Sequence, residues 1–371
     1  MRVVPTEAAL QFVGRATWEA LSGNPVTTTV FDNVDEVAHV RIAQNAKLVV
    51  VAPATADLLS RMAAGRADDL LTSTLLMATS PVIAVPAMHS EMWRHLATTA
   101  NVETLRGRGI RVIEPADGRL TGADSGPGRL PEASAIAEVC EAVLARDAAT
   151  HDLSAVRIVI SAGGTREPID PVRYLGNRSS GRQGWALAAA AVARGAAVEV
   201  VAANVDSADP AGATVTRVKT SEDLHKVMVE RSREADVVIM AAAIADFRTQ
   251  DVAAKKIKKS DSGEGVTLDL ERTTDVLAEL GASRLDGRPI LVGFAAETEP
   301  DETSRIDLAR GKLKAKGADL IVANEVGTDR GFEESGNQVA IVSAEGVVGR
   351  TGRTSKFGVA NEVLDAVSDL L

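Results

Sequence analysis

Short runs of Val, Ile, Leu and Ala alternate along the chain with longer stretches whose apolar residues recur at helical spacing. The runs Lys47–Thr55, Pro81–Met88, Val156–Gly164, Ala197–Asn204, Asp236–Ala243, Ile290–Glu297 and Asp319–Val326 read as strands. They are apolar nearly throughout, the pattern of strands covered on both faces, so parallel sheets are expected. Helical patterns fall between them, among them Ala133–Arg146, Gly181–Arg194 and Ser221–Glu234. This alternation predicts an α/β protein built of doubly wound parallel sheets. Ligands in such sheets bind outside the carboxyl ends of the strands. The runs end there in small or polar residues: APATAD, PAMHSEMW, SAGGT, AAAIAD, GFAAET and VANEV.

A length of 371 residues exceeds one ordinary core and predicts two domains. The polar stretch Asp147–Leu153 places a linker, with domains over 1–146 and 154–371. A net charge of −10 and only 3% aromatic residues argue against nucleic-acid binding. Anionic ligands would then need local sites rather than a whole-molecule field. No run approaches the ~18 apolar residues of a membrane span, and MRVVPTEAAL lacks the apolar segment of a signal peptide. A cytoplasmic protein without a membrane partner is expected. The single cysteine, Cys140, excludes an internal disulfide framework and reads as a small buried hydrophobe. The stretch Ser260–Gly265 reads as a mobile loop.

Candidate chemistry concentrates in three places. In SAGGTREPIDPVRYLGNRSSGRQG, Ser179, Ser180 and Gly181 are expected at the cap and first turn of a helix, where free N–H groups suit a phosphate. Gly163 and Gly164 would let backbone approach a ligand, with Arg173 and Asn177 adding donors. A capped helix with tight turns and no ligand reads equally from these residues alone. In MAAAIADFRTQDVAAKKIKK, Asp246 and the lysines 256, 258 and 259 follow a strand end. They are phosphate-binding point charges or simply a solvated face. In the third place Phe294 faces a base ring, and Lys312 and Lys316 share a helical face, for a ligand or for solubility.

In combination and order, SAGGTREPIDPVRYLGNRSSGRQG, AAAIADFR…KIKK, GFAAET and KLKAKGADLIVAN carry a resemblance. The span from Val156 onward resembles the phosphopantothenate–cysteine ligase domain of bacterial bifunctional coenzyme A biosynthesis proteins. The resemblance implies a Rossmann-like ligase domain that activates the 4'-phosphopantothenate carboxylate with CTP as an acyl-cytidylate, which cysteine then attacks. It implies catalytic roles for Asn177 and Lys256 and a substrate contact for Arg173. Its implied CTP contacts are Ser179, Ser180, Gly181, Met240, Ala241, Ala242, Asp246, Lys256, Thr274, Asp275, Val276, Leu277, Phe294, Lys312 and Lys316. Mg²⁺ would be held mainly by the CTP phosphates. Thr273-Thr274-Asp275 stands where the family usually has Asn-Pro-Asp.

The first half resembles the flavin-dependent decarboxylase domain that precedes the ligase in the same family, which implies a flavodoxin-like fold and FMN. His39 matches the catalytic histidine, and Thr6, Pro53, Ala54, Thr55 and Ala56 match flavin contacts. His89, where an asparagine is usual, and Met92 match the substrate motif. Gly122 stands where many members carry a proton-donating cysteine, and Cys140 is no substitute. The family opens with a further strand and a Gly-Gly loop for the flavin phosphate, whereas this chain begins at a stretch resembling the second strand. A misassigned start, with Met1 an internal codon, is therefore expected. The resemblance also implies homo-oligomers: trimers through flavin domains and dimers through ligase domains. Two other readings stand beside it: a ligase with an inert assembly module, and a nicotinamide oxidoreductase. The absent G-x-G-x-x-G argues against the latter.

Overall fold

The computed structural model describes residues 1–29, 37–120, 124–145, 151–258, 265–297, 299, 301–325 and 336–371. The chain forms two compact units, one of Met1–Ile136 and one of Ala137–Arg146 with His151–Leu371. The helix Ala133–Leu144 thus changes units along its length; Asn361 donates from Nδ2 to the Ala142 carbonyl at 3.1 Å within the second.

In the first unit, three parallel strands stand in the order β1 (Val49–Ala54), β2 (Val82–Pro86) and β3 (Arg111–Val112). The central β2 is buried at every position, as its unbroken apolar run requires. The helix Ala56–Ala63 places Leu58, Leu59 and Met62 on one face, against Val51 and Ala84. Val102 and Leu105 of the helix Leu96–Gly107 close the same core. An antiparallel pair, Ala116–Arg119 with Ser125–Arg129, completes the described sheet structure of this unit.

The second unit is built on an eight-stranded sheet. Its strands are β4 (Arg157–Gly163), β5 (Ala197–Ala203), β6 (Ala213–Val218), β7 (Val237–Met240), β8 (Ile290–Glu297), β9 (Leu320–Glu325), β10 (Val339–Ser343) and β11 (Gly346–Arg350). They lie in the order β6-β5-β4-β7-β8-β9-β10-β11. The first six are parallel, as their apolar runs predict, and β10 and β11 extend the edge as antiparallel strands. Between β10 and β11 Ala344-Glu345 reverses the chain, and only an antiparallel partner is reachable across so short a link. On one face Val159, Val238, Leu291 and Ile321 pack against Leu224 and Met228 of the helix Ser221–Ser232, and against Val276, Leu280, Ile306 and Ala309. The helix Arg182–Ala193 covers the other face of β4. A Cβ on its Gly184 would stand 2.4 Å from that of Ala162, so glycine there allows close helix–strand contact.

This order fixes where a ligand belongs. The chain winds from β4 outward to β6, then crosses back to β7 and winds the other way. The topological switch point, the crevice where doubly wound sheets take ligands, is therefore at the carboxyl ends of β4 and β7.

Candidate functional site

At the switch point the two strand ends interlock. Ala241 N–H donates to the Ser161 carbonyl at 3.2 Å, Ala242 N–H to Ser161 Oγ at 3.1 Å and Ala243 N–H to the Gly163 carbonyl at 2.8 Å. In return Thr165 N–H donates to the Ala243 carbonyl at 3.2 Å, and Thr165 Oγ1 accepts from Ala245 N–H at 2.9 Å. Gly163 has φ +87°, and a Cβ there would lie 2.0 Å from the Ala203 carbonyl oxygen. A Cβ on Gly164 would meet the Asn177 carbonyl oxygen at 3.1 Å and Ser179 Cβ at 3.3 Å. The glycines thus make room for the protein's own strand and loop.

That close packing delivers Asn177. Its Nδ2 donates to the Ile244 carbonyl at 2.9 Å; the acceptor is a carbonyl, so the nitrogen must face it and Oδ1 stays turned to the exposed side. Ser179 and Ser180 precede the helix rather than forming its first turn, a correction of their expected position. The helix begins at Arg182 with Gly181 as N-cap in the left-handed region, φ +73°, and without a side-chain cap. Val205 Cγ2 would lie 2.7 Å from a Cβ at position 181, so this cap position has room only for glycine. Ser179 Oγ instead accepts from Gly181 N–H at 3.3 Å. The helix's opening amides keep no side-chain cap, the arrangement that suits an anion.

Arg173, expected as a substrate contact, is held in place by Asp170. Asp170 is 3% exposed and accepts from Val172 N–H at 2.8 Å, Arg173 N–H at 2.9 Å, Arg173 Nε at 2.9 Å and Nη2 at 2.6 Å, and Ile257 N–H at 3.1 Å. Arg173 Nη2 also donates to the Ile257 carbonyl at 2.7 Å. Burial pushes the Asp170 carboxyl upward, but the donors from Val172, Arg173 and Ile257 outweigh it and hold it well below the usual carboxylate range. Nε and Nη2 of Arg173 are thereby spent on fastening the segment that carries Lys256 and Lys258, both exposed. Lys259, Ser260 and the following residues to Glu264 lie outside the described residues.

Thr273 ties in the next group. It donates from Oγ1 to the Ala245 carbonyl at 2.6 Å, and its N–H donates to the Asp246 carbonyl at 3.0 Å. Two residues on, Asp275 caps the helix Val276–Ser283 by accepting from Ala278 N–H at 3.1 Å, and it pairs with Lys316. Thr274 between them is exposed. Leu277 packs where a Cβ on Gly293 would be, 2.6 Å away, next to half-buried Phe294. Lys312 pairs with Glu297 at 2.7 Å. Asn177, Met240, Ala241, Ala242 and Asp246 are thus gathered at the switch point, and Thr273 links them to Asp275, Val276, Leu277 and Lys316. Sequence reasoning missed Ser161, Thr165, Asp170 and Thr273, which hold this arrangement. For Ser161 and Thr165 a small polar side chain at the end of an apolar run was the available signal; Asp170 and Thr273 stand in polar stretches that gave none.

In the first unit His39 lies in the helix Ala38–Asn45, half-buried, and its Nδ1 is buried without a hydrogen-bond partner. Pro53 and Ala54 end β1. Thr55 caps the helix Ala56–Ala63 by accepting from Leu58 N–H at 3.2 Å. The Ala54 carbonyl accepts from Ala87 N–H at 3.2 Å, joining this corner to PAMHSEMW. There His89 is the N-cap of the helix Ser90–Trp93, and Met92 is exposed. The neighbouring hairpin is fastened down: Ser90 Oγ donates to the Pro127 carbonyl at 2.7 Å and Met88 N–H to the Gly128 carbonyl at 3.0 Å. Gly128 has φ +143°, and a Cβ there would stand 2.1 Å from the Met88 carbonyl oxygen. An open pocket of about 350 Å³ lies between His89, Met88, Arg119, Leu120 and Arg129. Thr6 caps the helix Glu7–Leu10, with Oγ1 accepting from Ala9 N–H at 3.1 Å. Gly122 lies outside the described residues.

Among the described residues no group of three or more His, Cys, Asp and Glu is arranged to hold a metal ion. Cys140 is a free, half-buried thiol that burial, above all, pushes upward in pKa. No described helix is long and apolar enough to cross a membrane.

Two family models match the chain: Flavoprotein over residues 1–145, and the DNA/pantothenate metabolism flavoprotein C-terminal domain over residues 153–371. The Coenzyme A biosynthesis bifunctional protein CoaBC of Mycolicibacterium smegmatis is 52% identical, over 100% of this chain and 91% of that protein. The protein of the same name from Vibrio cholerae is 38% identical, again over 100% of this chain and 91% of its own length. The crystal structure of the DNA/pantothenate metabolism flavoprotein from Streptococcus pneumoniae superposes with a TM-score of 0.50 at 22% identity, covering 58% of this chain and 100% of that one. That likeness is one of fold.

Proposed function

Since the chain belongs to the family of bifunctional coenzyme A biosynthesis proteins, we propose how its two units divide a ligase and a decarboxylase activity between them. The enzyme joins 4'-phosphopantothenate to cysteine in the second unit and decarboxylates the product in the first. Residues 1–146 form the decarboxylase domain and residues 154–371 the ligase domain.

Ligation runs on CTP. A carboxylate oxygen of phosphopantothenate attacks the α-phosphorus, the α–β anhydride bond breaks, and pyrophosphate leaves with the electron pair. The cysteine amine then attacks the acyl carbon, CMP leaves, and the amine loses a proton. Such chemistry asks for positioning and charge neutralisation more than for acid–base groups. The uncapped helix start at Gly181 and Lys256 grip phosphate, and Asn177 Oδ1 orients the acyl-cytidylate. Phe294 and the start of the helix Val276–Ser283 hold the base, and Lys312 and Lys316 add positive charge. Mg²⁺ would be carried mainly by the nucleotide's phosphate oxygens.

In the first unit, the buried unpartnered Nδ1 of His39 and the corner Pro53–Ala56, bonded to the substrate segment through Ala87, fit an FMN site. FMN bound there would take two electrons from the substrate, which makes loss of carbon dioxide easy, and would return them to the decarboxylated product, so that no net redox change remains. His39 takes the thiol proton, and His89 with Met92 orients the carboxyl group that departs. Homo-oligomers, trimeric through the first unit and dimeric through the second, and a cytoplasmic location belong to the same reading.

The observation that carries the ligase assignment is the bond from Asn177 to Ile244, which sets the side chain at the switch point beside Ala241–Asp246. The test uses the full chain with CTP, 4'-phosphopantothenate and cysteine. CMP and pyrophosphate formed in equal amounts are expected; ligation driven by ATP alone overturns the CTP assignment. A flavin absorption band and carbon dioxide from phosphopantothenoylcysteine are expected of the first unit. Ligation without either leaves that unit as an inert assembly module.

A further inference from the structure

The helix Arg182–Ala193 and the final helix Lys356–Ser368 run side by side in one direction. At one end Gln183 Nε2 donates to the Lys356 carbonyl at 3.1 Å. At the other, Arg194 Nη1 donates to the Asn361 carbonyl at 3.2 Å and pairs with Asp365 at 2.9 Å. Both N-termini, and so both positive dipole ends, therefore stand together. Each helix opens with a cation, Arg182 and Lys356, and neither first turn contains an acidic residue. Among the described residues neither cation has a carboxylate partner.

Two like charges at two positive poles repel, and half-buried Lys356 has given up part of its hydration. Burial first, and the charge of Arg182 second, lower its pKa from the usual lysine value. The place is also the right one. A Cβ on Gly181, the residue before Arg182, would lie 3.4 Å from Gly163 Cα, at the carboxyl end of β4. An unbalanced pair of cations held at a ligand crevice by two packed helices is an arrangement that an anion completes.

We propose that Arg182 and Lys356 form a phosphate clamp, in which the guanidinium and Nζ together bind a phosphate group of one of the two phosphorylated substrates of ligation. The inference rests on the ligase reading and adds residues that reading does not use. Nothing in the helix pair distinguishes the nucleotide's polyphosphate from the phosphate of phosphopantothenate, and the arms of the test do.

The experiment compares the full chain with Lys356→Met, Lys356→Arg and Arg182→Gln. Each substrate is varied in turn, and inorganic tripolyphosphate and inorganic phosphate are titrated by calorimetry. Losing one charge-assisted phosphate contact is expected to raise a KM about tenfold, while the KM for cysteine stays within twofold. Lys356→Arg recovers most of the loss. A raised KM for CTP with weakened tripolyphosphate binding assigns the clamp to the nucleotide. A raised KM for phosphopantothenate with weakened inorganic phosphate binding assigns it to that substrate. Unchanged KM values and unchanged binding of both anions, in Lys356→Met or, should that variant fail to fold, in Arg182→Gln, overturn the proposal. If the unaltered chain forms no CMP from CTP, the ligase reading fails instead, and the two titrations still decide the clamp.

Discussion

Asp170 and Ile257 are 87 residues apart in sequence and joined by a hydrogen bond of 3.1 Å, from the Ile257 N–H to Asp170 Oδ2. Arg173 closes the triangle by bonding to both. The segment bearing Lys256 is thereby fixed to the loop that leads to Asn177, and a buried carboxylate becomes the pivot between two parts of one site.

Asp170→Asn removes the charge and one acceptor from that pivot. Ligation kcat/KM is expected to fall about tenfold or more through misplacement of Lys256, with both KM for CTP and kcat affected. The folded-state pKa of Asp170 is depressed, so its contribution to stability is complete above the unfolded value of about 3.9 and is lost as pH falls through the folded value. The gap in thermal midpoint between the unaltered chain and Asp170→Asn should stay constant from neutral pH to about 5 and narrow in stronger acid. A gap that widens on acidification contradicts the assignment.

Asn177→Ala tests the switch point itself. The side chain is exposed and makes one bond to Ile244, so stability should change by only about 1 kcal/mol. The rate of amide formation should drop about a hundredfold or more, the scale seen when one positioned hydrogen-bonding group is removed. Pyrophosphate release and melting curves on the same sample separate the two effects.

Gly128→Ala should act on one unit only. Its φ of +143° and a Cβ 2.1 Å from the Met88 carbonyl oxygen force the hairpin off the segment carrying His89. Carbon dioxide release should fall about tenfold or more, a strained left-handed backbone adding to the clash. Ligation by the same sample should stay within about twofold, since the change lies in the other unit. Equal loss of both activities indicates that the variant misfolds as a whole.

Asp275 both caps a helix and pairs with Lys316, and two substitutions separate these tasks. Asp275→Ala should cost about 1 kcal/mol of stability through the lost cap. Asp275→Asn keeps a good cap and loses only the ion pair, which at this exposure contributes little stability, about 0–1 kcal/mol. If Lys316 meets the nucleotide, both variants should change KM for CTP while only the first lowers the thermal midpoint.

The parallel strands β4, β5, β7, β8 and β9 were legible in the sequence, because a strand buried on both faces must be an unbroken apolar run and the signal is local. The strand β6 was not: Ala213–Val218 is an edge strand of mixed burial, and Thr214, Thr216 and Arg217 break the run. The strand β11 escaped for a similar reason, since Gly346 to Arg350 is only partly buried; β10 is a buried apolar run, Val339–Ser343, and was passed over although its pattern is that of the others. Asn177, Lys256, Asp275, Lys316, His39 and His89 were singled out in the sequence by residue type and by the motifs that carry the resemblance; Lys316 closes the helix Glu302–Lys316, and Asp275 caps the next helix start.

The sequence by itself determined the α/β alternation, the two-part organisation of the chain and the short list of polar residues at strand ends, since periodicity and residue type are properties of neighbouring positions. Tertiary structure decided what those residues do. It bound Arg173 to Asp170 and Ile257, reserved the helix cap at 181 for glycine because Val205 crowds it, and set Gln183, next to Arg182, against Lys356. The bonds of Asp170 and Arg173 to Ile257, of Gln183 to Lys356 and the crowding of Gly181 by Val205 join atoms distant along the chain at about 3 Å, where steric exclusion and hydrogen bonding act and where sequence spacing carries no distance.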